Sequence, residues 1–124
     1  MDVIHSAIQV SDLETSVQFY EEAMNLHVTR EFESGDGAKN IFLAGEGEYE
    51  LQLKYHPEKA VPEPAGFDHT AIEVEDIDAE LERLQNEFDC EVYRGPIDSE
   101  VAHARVAFIK DPDGYGIELV EEWE

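Results

Sequence analysis

Two stretches of the chain carry nearly the same pattern, VIHSAIQVSDLE at residues 3–14 and FDHTAIEVEDID at residues 67–78. Each stretch has alternating apolar residues, a histidine near its start and an acidic residue towards its end. Alternation with a period of two is typical of a half-buried strand, and an aspartate that follows it is typical of a helix N-cap. The pattern therefore predicts a duplicated unit, which restricts the possible folds more than any other feature of the sequence.

The duplication continues into the segments that follow. The two histidines, His5 and His69, are 64 positions apart (69 − 5), and Asp12 and Asp76 show the same offset. A carboxylate at these places can accept hydrogen bonds from the free N–H groups of a helix N-terminus. Four apolar positions then recur at the spacing i, i+4, i+7 and i+11, the stripe of an amphipathic helix. They are Leu13, Val17, Tyr20 and Met24 in the first copy and Ile77, Leu81, Leu84 and Phe88 in the second.

Three more strand-like segments follow each helix, so each half is predicted to run β-α-β-β-β. We expect an α+β fold of two tandem βαβββ modules that form a half-barrel or cup of largely antiparallel sheet, with the helices outside. The expected domain is a single one, 1–124, with module 1 at about 1–55, a proline-rich linker at 56–66 and module 2 at about 67–124. The segments are LHVTREFE, NIFLA and YELQLKY in the first half and CEVYR, ARVAFIK and YGIELVE in the second.

The charge balance restricts the partners. The chain has 8 Lys and Arg residues and 31 Asp and Glu residues, which gives a formal net charge of −23. Such a surface repels nucleic acid and anionic membranes, so neither is expected as a partner. The acidic residues are spread over the whole chain, which favours a halophilic, solvated surface, with an acidic interaction surface as the alternative. The single cysteine, Cys90, excludes an intramolecular disulfide and favours a cytoplasmic location.

Strand alternation predicts that one histidine and one glutamate of each half share a polar face of the sheet. Tyr49-Glu50-Leu51 matches Ile117-Glu118-Leu119 at an offset of 68 (118 − 50), which implies four residues gained in the second copy. Two such faces turned towards each other would bring two histidines and two glutamates around one hollow. Glu50 exchanges with Glu48 or Gln52 if the strand register slips by two, because all three share that face.

These features resemble the vicinal-oxygen-chelate superfamily, which includes glyoxalase I, bleomycin-resistance proteins and dioxygenases, and most closely the glyoxalase I (lactoylglutathione lyase) type. The segments that carry the resemblance are IHSAIQVSDLETSVQFYEEAMNL, DHTAIEVEDI and FIKDPDGYGIELVE, and it covers essentially the whole chain. The resemblance implies one divalent metal, Ni, Co, Mn, Fe or Zn, with two positions left for substrate oxygens. The implied ligands are His5, Glu50, His69 and Glu118.

The implied activity is that of a metal-dependent lyase/isomerase, which acts on a hemithioacetal of methylglyoxal through an enediolate. Glu118 would be the main base, with Glu50 able to act on the opposite stereochemical face. The alternatives are an epimerase or extradiol dioxygenase, or a non-catalytic small-molecule-binding protein of the same superfamily. Glyoxalases of this type also imply a homodimer. Glutathione-using members have Arg where this chain has Gln9 and often Asn where it has Lys54. The resemblance therefore does not identify the thiol that this chain would use.

We expect the melting temperature to rise steeply between dilute buffer and molar KCl. The folded state concentrates the charge of −23, and dissolved ions screen the resulting repulsion. Thermal unfolding followed by circular dichroism measures the effect, with sorbitol at matched osmolality as the uncharged control. A melting temperature that is the same in dilute buffer and in molar KCl would show that charge repulsion does not limit the stability.

Overall fold

The computed structural model describes residues 1, 3–61 and 67–124; residues 62–66 of the predicted linker lie outside the described residues. The chain divides into two compact units, Met1–Glu63 and Pro64–Glu124. Unit 1 contains β1 (His5–Gln9), α1 (Leu13–Gln18) with a π-helical continuation (Phe19–Ala23), β2 (His27–Glu33), β3 (Lys39–Ala44) and β4 (Glu50–Tyr55). Unit 2 contains β5 (His69–Glu73), α2 (Ile77–Phe88), β6 (Val92–Ser99), β7 (Ala104–Lys110) and β8 (Gly116–Glu122).

Each unit is built on one four-stranded sheet. The strand orders are β1-β4-β3-β2 and β5-β8-β7-β6, so the first strand of a unit pairs with its last. This pairing is parallel, whereas the other two pairings of each sheet are antiparallel. A parallel pair needs a long crossover, which the helix and the two intervening strands supply. The predicted α+β fold of two βαβββ modules is confirmed.

The two predicted helix caps are confirmed. Asp12 Oδ1 accepts a hydrogen bond from the backbone N–H of Thr15, and Asp76 Oδ1 accepts one from that of Ala79, each at 3.1 Å. Both aspartates have an extended backbone, which is the conformation of an N-cap residue. The chain therefore turns from strand to helix in the same way in both units.

The apolar stripe of the second helix is confirmed, but that of the first differs from the prediction. After α1 the chain passes into a π-helical turn, in which the N–H of Met24 donates to the carbonyl of Phe19, five residues back. Ser16 and Ala23, which are not on the predicted stripe, are buried, while Val17 is only half-buried.

The apolar side chains of each sheet pack under that unit's own helix. In unit 1, Ile8 and Leu53 lie on neighbouring strands of this face and are 5% and 0% exposed. In unit 2, Ile117 and Leu119 are almost completely buried on the corresponding strand. Since successive strand residues point to opposite sides, the histidines and glutamates of these strands lie on the other face. We call this other face the polar face.

Strand β6 is longer than predicted. The predicted segment CEVYR ends at Arg94, but pairing with β7 resumes at Ile97 and continues to Ser99. The register shifts between Arg94 and Ile97, and Gly95 has a φ of +85°, which glycine adopts without strain. The irregularity places Pro96, which has no N–H, outside the regular hydrogen-bond ladder of an edge strand.

Two substitutions of Asp76 separate the cap from its charge. Asp76→Ala and Asp76→Asn both remove one negative charge, but only asparagine keeps an oxygen that can accept from Ala79. We expect the free energy of unfolding of the alanine variant to be about 1 kcal/mol below that of the asparagine variant. Urea denaturation at one fixed salt concentration measures the difference. Equal stability of the two variants would show that the cap hydrogen bond contributes nothing.

Candidate active site

Unit 2 brings its predicted histidine and glutamate together on the polar face. His69 Nε2 lies 3.3 Å from Glu118 Oε1, and His69 Nδ1 lies 2.6 Å from Asp68 Oδ2. A carboxylate on one ring nitrogen fixes the tautomer and orientation of the imidazole, as it does for histidines that bind metals. The side chains of His69 and Glu118 remain partly accessible, at 30% and 22% of their surface. The pair can therefore offer a nitrogen and an oxygen to the same ligand.

Unit 1 places its own pair side by side. His5 lies directly opposite Glu50 in the parallel pairing of β1 with β4. His5 Nδ1 is buried and has no hydrogen-bond partner among the described residues. A buried polar atom without a partner is costly, and binding of a further group would remove that cost. The chemistry of these donors, imidazole nitrogen and carboxylate oxygen, fits a divalent transition metal.

Glu50 is held by two donors from β2. The Thr29 hydroxyl donates to Glu50 Oε2, and Arg30 Nη2 lies 3.3 Å from Glu50 Oε1. The hydrogen bond from Thr29, and then the Arg30 guanidinium, hold the pKa of the Glu50 carboxyl below its usual range. Glu50 is therefore stabilised in its charged form.

The strand register corrects the predicted match between Glu50 and Glu118. Leu51 pairs with Ser6, and Ile117 pairs with Thr70, so β4 and β8 correspond at an offset of 66 (117 − 51). The second copy has therefore gained two residues and not four. The prediction was wrong because it matched the shared Glu-Leu dipeptide, whereas a shift of two residues leaves every side chain on the same face.

The corrected register changes two equivalences. The counterpart of Glu118 is Gln52, and the counterpart of Glu50 is Gly116. Gln52 Nε2 donates to Asn40 Oδ1 at 2.8 Å, so this amide is engaged with a buried neighbour. Glu50 thus remains the acidic side chain directly opposite His5. The register pairs Gln52 with Ala7, so Gln52 does not take the place of Glu50 opposite His5.

An aromatic ring and an arginine accompany each histidine, and sequence reasoning missed both. His5 packs edge-on against Phe42 at a centroid distance of 5.3 Å, and His69 packs in the same way against Phe108 at 5.5 Å. The guanidinium of Arg30 lies 3.9 Å above Phe42, and that of Arg94 lies 5.4 Å from the centre of Phe108. Arg30 and Arg94 are separated by 64 positions, the offset of the histidines, and this signal could have found them.

Each arginine follows an extra residue in its strand. The register shifts between Val28 and Arg30 in β2 and between Val92 and Arg94 in β6, so Thr29 and Tyr93 are the inserted residues. The Thr29 hydroxyl donates a hydrogen bond to Glu50. The Tyr93 hydroxyl instead lies against Gly116, where a Cβ would be 2.6 Å from it. The two polar faces therefore have the same framework but differ at this one place.

Within residues 1, 3–61 and 67–124 no group of three or more His, Cys, Asp or Glu side chains is arranged to hold a metal ion. Each unit presents one His–Glu pair instead. No helix in this part of the chain has the length and apolar character needed to cross a membrane.

Comparisons with known proteins agree with this geometry. Residues 3–119 match the family model of the Glyoxalase/Bleomycin resistance protein/Dioxygenase superfamily. The chain is 32% identical to a probable lactoylglutathione lyase of Vibrio parahaemolyticus, over 96% of this chain and 89% of that protein. The trypanothione-dependent glyoxalase I of Leishmania major has a TM-score of 0.83 and 29% identity, covering 98% of this chain and 87% of that one. TnmS3, an antibiotic-binding protein from a Streptomyces species, has a TM-score of 0.76 and 25% identity, covering 98% and 96%.

A match that spans nearly the whole chain identifies the family. The protein belongs to the glyoxalase/bleomycin resistance/dioxygenase superfamily, and its curated and structural relatives include lactoylglutathione lyases. TnmS3, which has a similar structure, is an antibiotic-binding protein. Membership therefore defines the fold and the class of site, while the reaction must be argued from the residues.

Replacing Thr29 by valine should raise the pKa of Glu50 in the metal-free protein. The variant keeps the shape of the side chain but loses the hydroxyl donor that contributes most to the lowered pKa. Carbon-detected NMR titration of the Glu50 carboxyl measures the change. Thr70→Val, on β5 of the other unit, is the matched control and should leave Glu50 unaltered. An unchanged titration of Glu50 in the Thr29 variant would rule out this hydrogen bond as the main cause.

Proposed function

We propose that this protein is a metal-dependent lyase of the glyoxalase I type, acting on the hemithioacetal that methylglyoxal forms with a thiol. The observation that carries the proposal is the His69–Glu118 pair, oriented by Asp68 and partly accessible on the polar face. Lactoylglutathione lyases among the relatives support the same reaction class.

The proposed ligands are His69 and Glu118 from unit 2 with His5 and Glu50 from unit 1. The unpartnered Nδ1 of His5 supports a bound group next to this ring. Two imidazoles and two carboxylates suit Ni, Co, Mn, Fe or Zn. A divalent ion there would stabilise the negative charge that develops on two adjacent substrate oxygens. As in glyoxalases of this type, we propose a homodimer, in which the ligand pairs of two copies of the chain combine.

Glu118 is the proposed base, which removes a proton from the carbon next to the substrate carbonyl and returns it to the neighbouring carbon. Among the described residues, the partner of the Glu118 side chain is His69. Glu50, by contrast, receives a hydrogen bond from Thr29 and an ion pair from Arg30, which stabilise its anionic form and make it the weaker proton acceptor. The chain's own residues therefore favour Glu118 as the main base, with Glu50 in a secondary role.

The second candidate function is binding of a small molecule without turnover. The similarity to the antibiotic-binding protein TnmS3 is the observation that favours it. The two functions differ in what they require of Glu118, since only a lyase needs it as a proton acceptor. Epimerase chemistry would also move a proton, but it would not need a thiol.

Glu118→Gln tests the proposal directly, because it keeps a ligand oxygen but cannot accept the proton. We expect the variant to retain the metal, more weakly, while turnover and exchange of the substrate α-deuterium fall by a factor of about 100 or more. Glu50→Gln should lose less. Glu73 lies on the same face of β5 as His69. Glu73→Gln is therefore the control for loss of one charge, and it should keep full activity.

The measurements are metal content by mass spectrometry, turnover with methylglyoxal and a panel of thiols, and deuterium exchange. Protein that stays metal-free after incubation with Ni, Co, Mn and Zn would contradict the metal site. Full exchange activity in the Glu118 variant would show that another residue is the base. Metal binding with no turnover of any thiol adduct would favour the small-molecule-binding function.

A further inference from the structure

A groove lies between α1 and β3 on the helix side of the unit 1 sheet, the side opposite the polar face. It has a volume of about 630 Å³. Its lining includes the apolar side chains of Leu13, Val17 and Ile41, which are only half-buried. A groove of this size with an apolar lining can hold a small organic molecule.

The corresponding place in unit 2 is closed. Leu13 and Val17 have counterparts at the helix offset of 64. The strand offset of 66 relates Leu53 to Leu119, which pair with Ile41 and Ala107 respectively, so Ala107 is the counterpart of Ile41. The counterparts of the three apolar side chains are 0%, 6% and 0% exposed: Ile77, Leu81 and Ala107. The groove is therefore a feature of unit 1 alone.

An arginine joins the helix to the sheet in unit 2. Arg105 on β7 donates from Nη2 to Asp78 Oδ1 on α2 and from Nη1 to Asp98 Oδ1 on β6, each at 3.1 Å. The planar guanidinium can do this because it presents several N–H donors in a fixed arrangement, whereas the ammonium of lysine is a compact point charge. One guanidinium thus connects carboxylates of the helix and of the edge strand.

Unit 1 has the same kinds of charge at these places but no such connection. Lys39 is the counterpart of Arg105, and Glu14 is the counterpart of Asp78. Both line the groove together with a second carboxylate, Glu21. Among the described residues, none of these three side chains takes part in an ion pair within 4.0 Å. The groove therefore has an apolar lining and an excess of negative charge.

We propose that this groove binds a small organic guanidinium, a guanidinium group carried on a short alkyl or aryl body. The guanidinium binds beside Glu14, as the guanidinium of Arg105 binds Asp78 in unit 2, and the apolar body covers the half-buried side chains of the lining. Paired N–H donors match the two oxygens of a carboxylate. The net charge of −23 attracts a cation to the protein and repels an anion. The site lies on the opposite side of the sheet from His5 and Glu50, so it does not depend on the proposed lyase function.

A titration with three probes tests the proposal at one fixed salt concentration. Hexylguanidinium has both the charge and the apolar body, 1-hexanol has only the body, and methylguanidinium has only the charge. NMR of the side-chain methyl groups should show saturable shifts at Leu13, Val17 and Ile41, with a Kd for hexylguanidinium about tenfold or more below that of either control probe. The methyl groups of Ile77 and Leu81, which lie in the closed counterpart, should not shift.

Two variants separate the charge from the rest of the groove. Glu14→Gln removes the carboxylate and should raise the Kd of hexylguanidinium about fivefold. Lys39→Arg supplies a guanidinium from the chain itself, as unit 2 does, and should also weaken binding by about fivefold. Glu82→Gln, at an exposed position of α2, is the matched control for loss of one charge and should leave the Kd unchanged.

Three results would overturn the proposal. The first is equal affinity for hexylguanidinium and 1-hexanol, and the second is an unchanged Kd in either Glu14→Gln or Lys39→Arg. The third is a shift of the groove methyl groups with protein concentration alone, which would show that a second copy of the chain covers the groove. Each result is read from binding and needs no turnover, so failure of the lyase proposal would not affect it.

Discussion

The parallel pairing of the first strand of each unit with its last is the interaction on which the rest of the structure depends. It places His5 opposite Glu50 and brings Glu118 within 3.3 Å of His69, although each pair is more than forty residues apart in sequence. The pairing also fixes which side chains lie next to the phenylalanine at the centre of each polar face. A slip of one residue would turn the histidine and glutamate side chains towards the helix and the apolar side chains towards the polar face. The apolar core and the site are therefore held by the same register.

Much of the fold could be predicted from the sequence, because the same strand and helix patterns occur in both halves. The order of elements along each module, both aspartate caps and the second helix follow from period, offset and cap chemistry. The π-helical turn does not, since the apolar spacing Leu13–Val17–Tyr20–Met24 satisfies a regular helix equally well. The end of β6 does not either, because Gly95 and Pro96 mark a turn as often as a bulge.

The candidate site was predictable in its residue types but not in its register. The polar face could be assigned from alternation alone, yet offsets of 66 and 68 place the same residues on that face, so only the strand pairing distinguishes them. Arg30 and Arg94 lie at the histidine offset of 64, but an arginine in an acidic chain is expected to pair with a surface carboxylate. The loss of the Glu50 counterpart at Gly116 is visible only with the corrected register.

The two units share a framework and differ in the electrostatics of one corner of the polar face. In unit 1, Thr29 and Arg30 both contact the Glu50 carboxylate and stabilise its charge. In unit 2, the Tyr93 hydroxyl lies against Gly116, and Arg94 has no carboxylate partner among the described residues. Duplication makes such divergence possible, because the caps and apolar positions that fold each unit lie on the other side of the sheet. Two carboxylates in different surroundings can then take different roles in one reaction. In the proposed lyase, this asymmetry gives Glu118 the role of main base and Glu50 a secondary one.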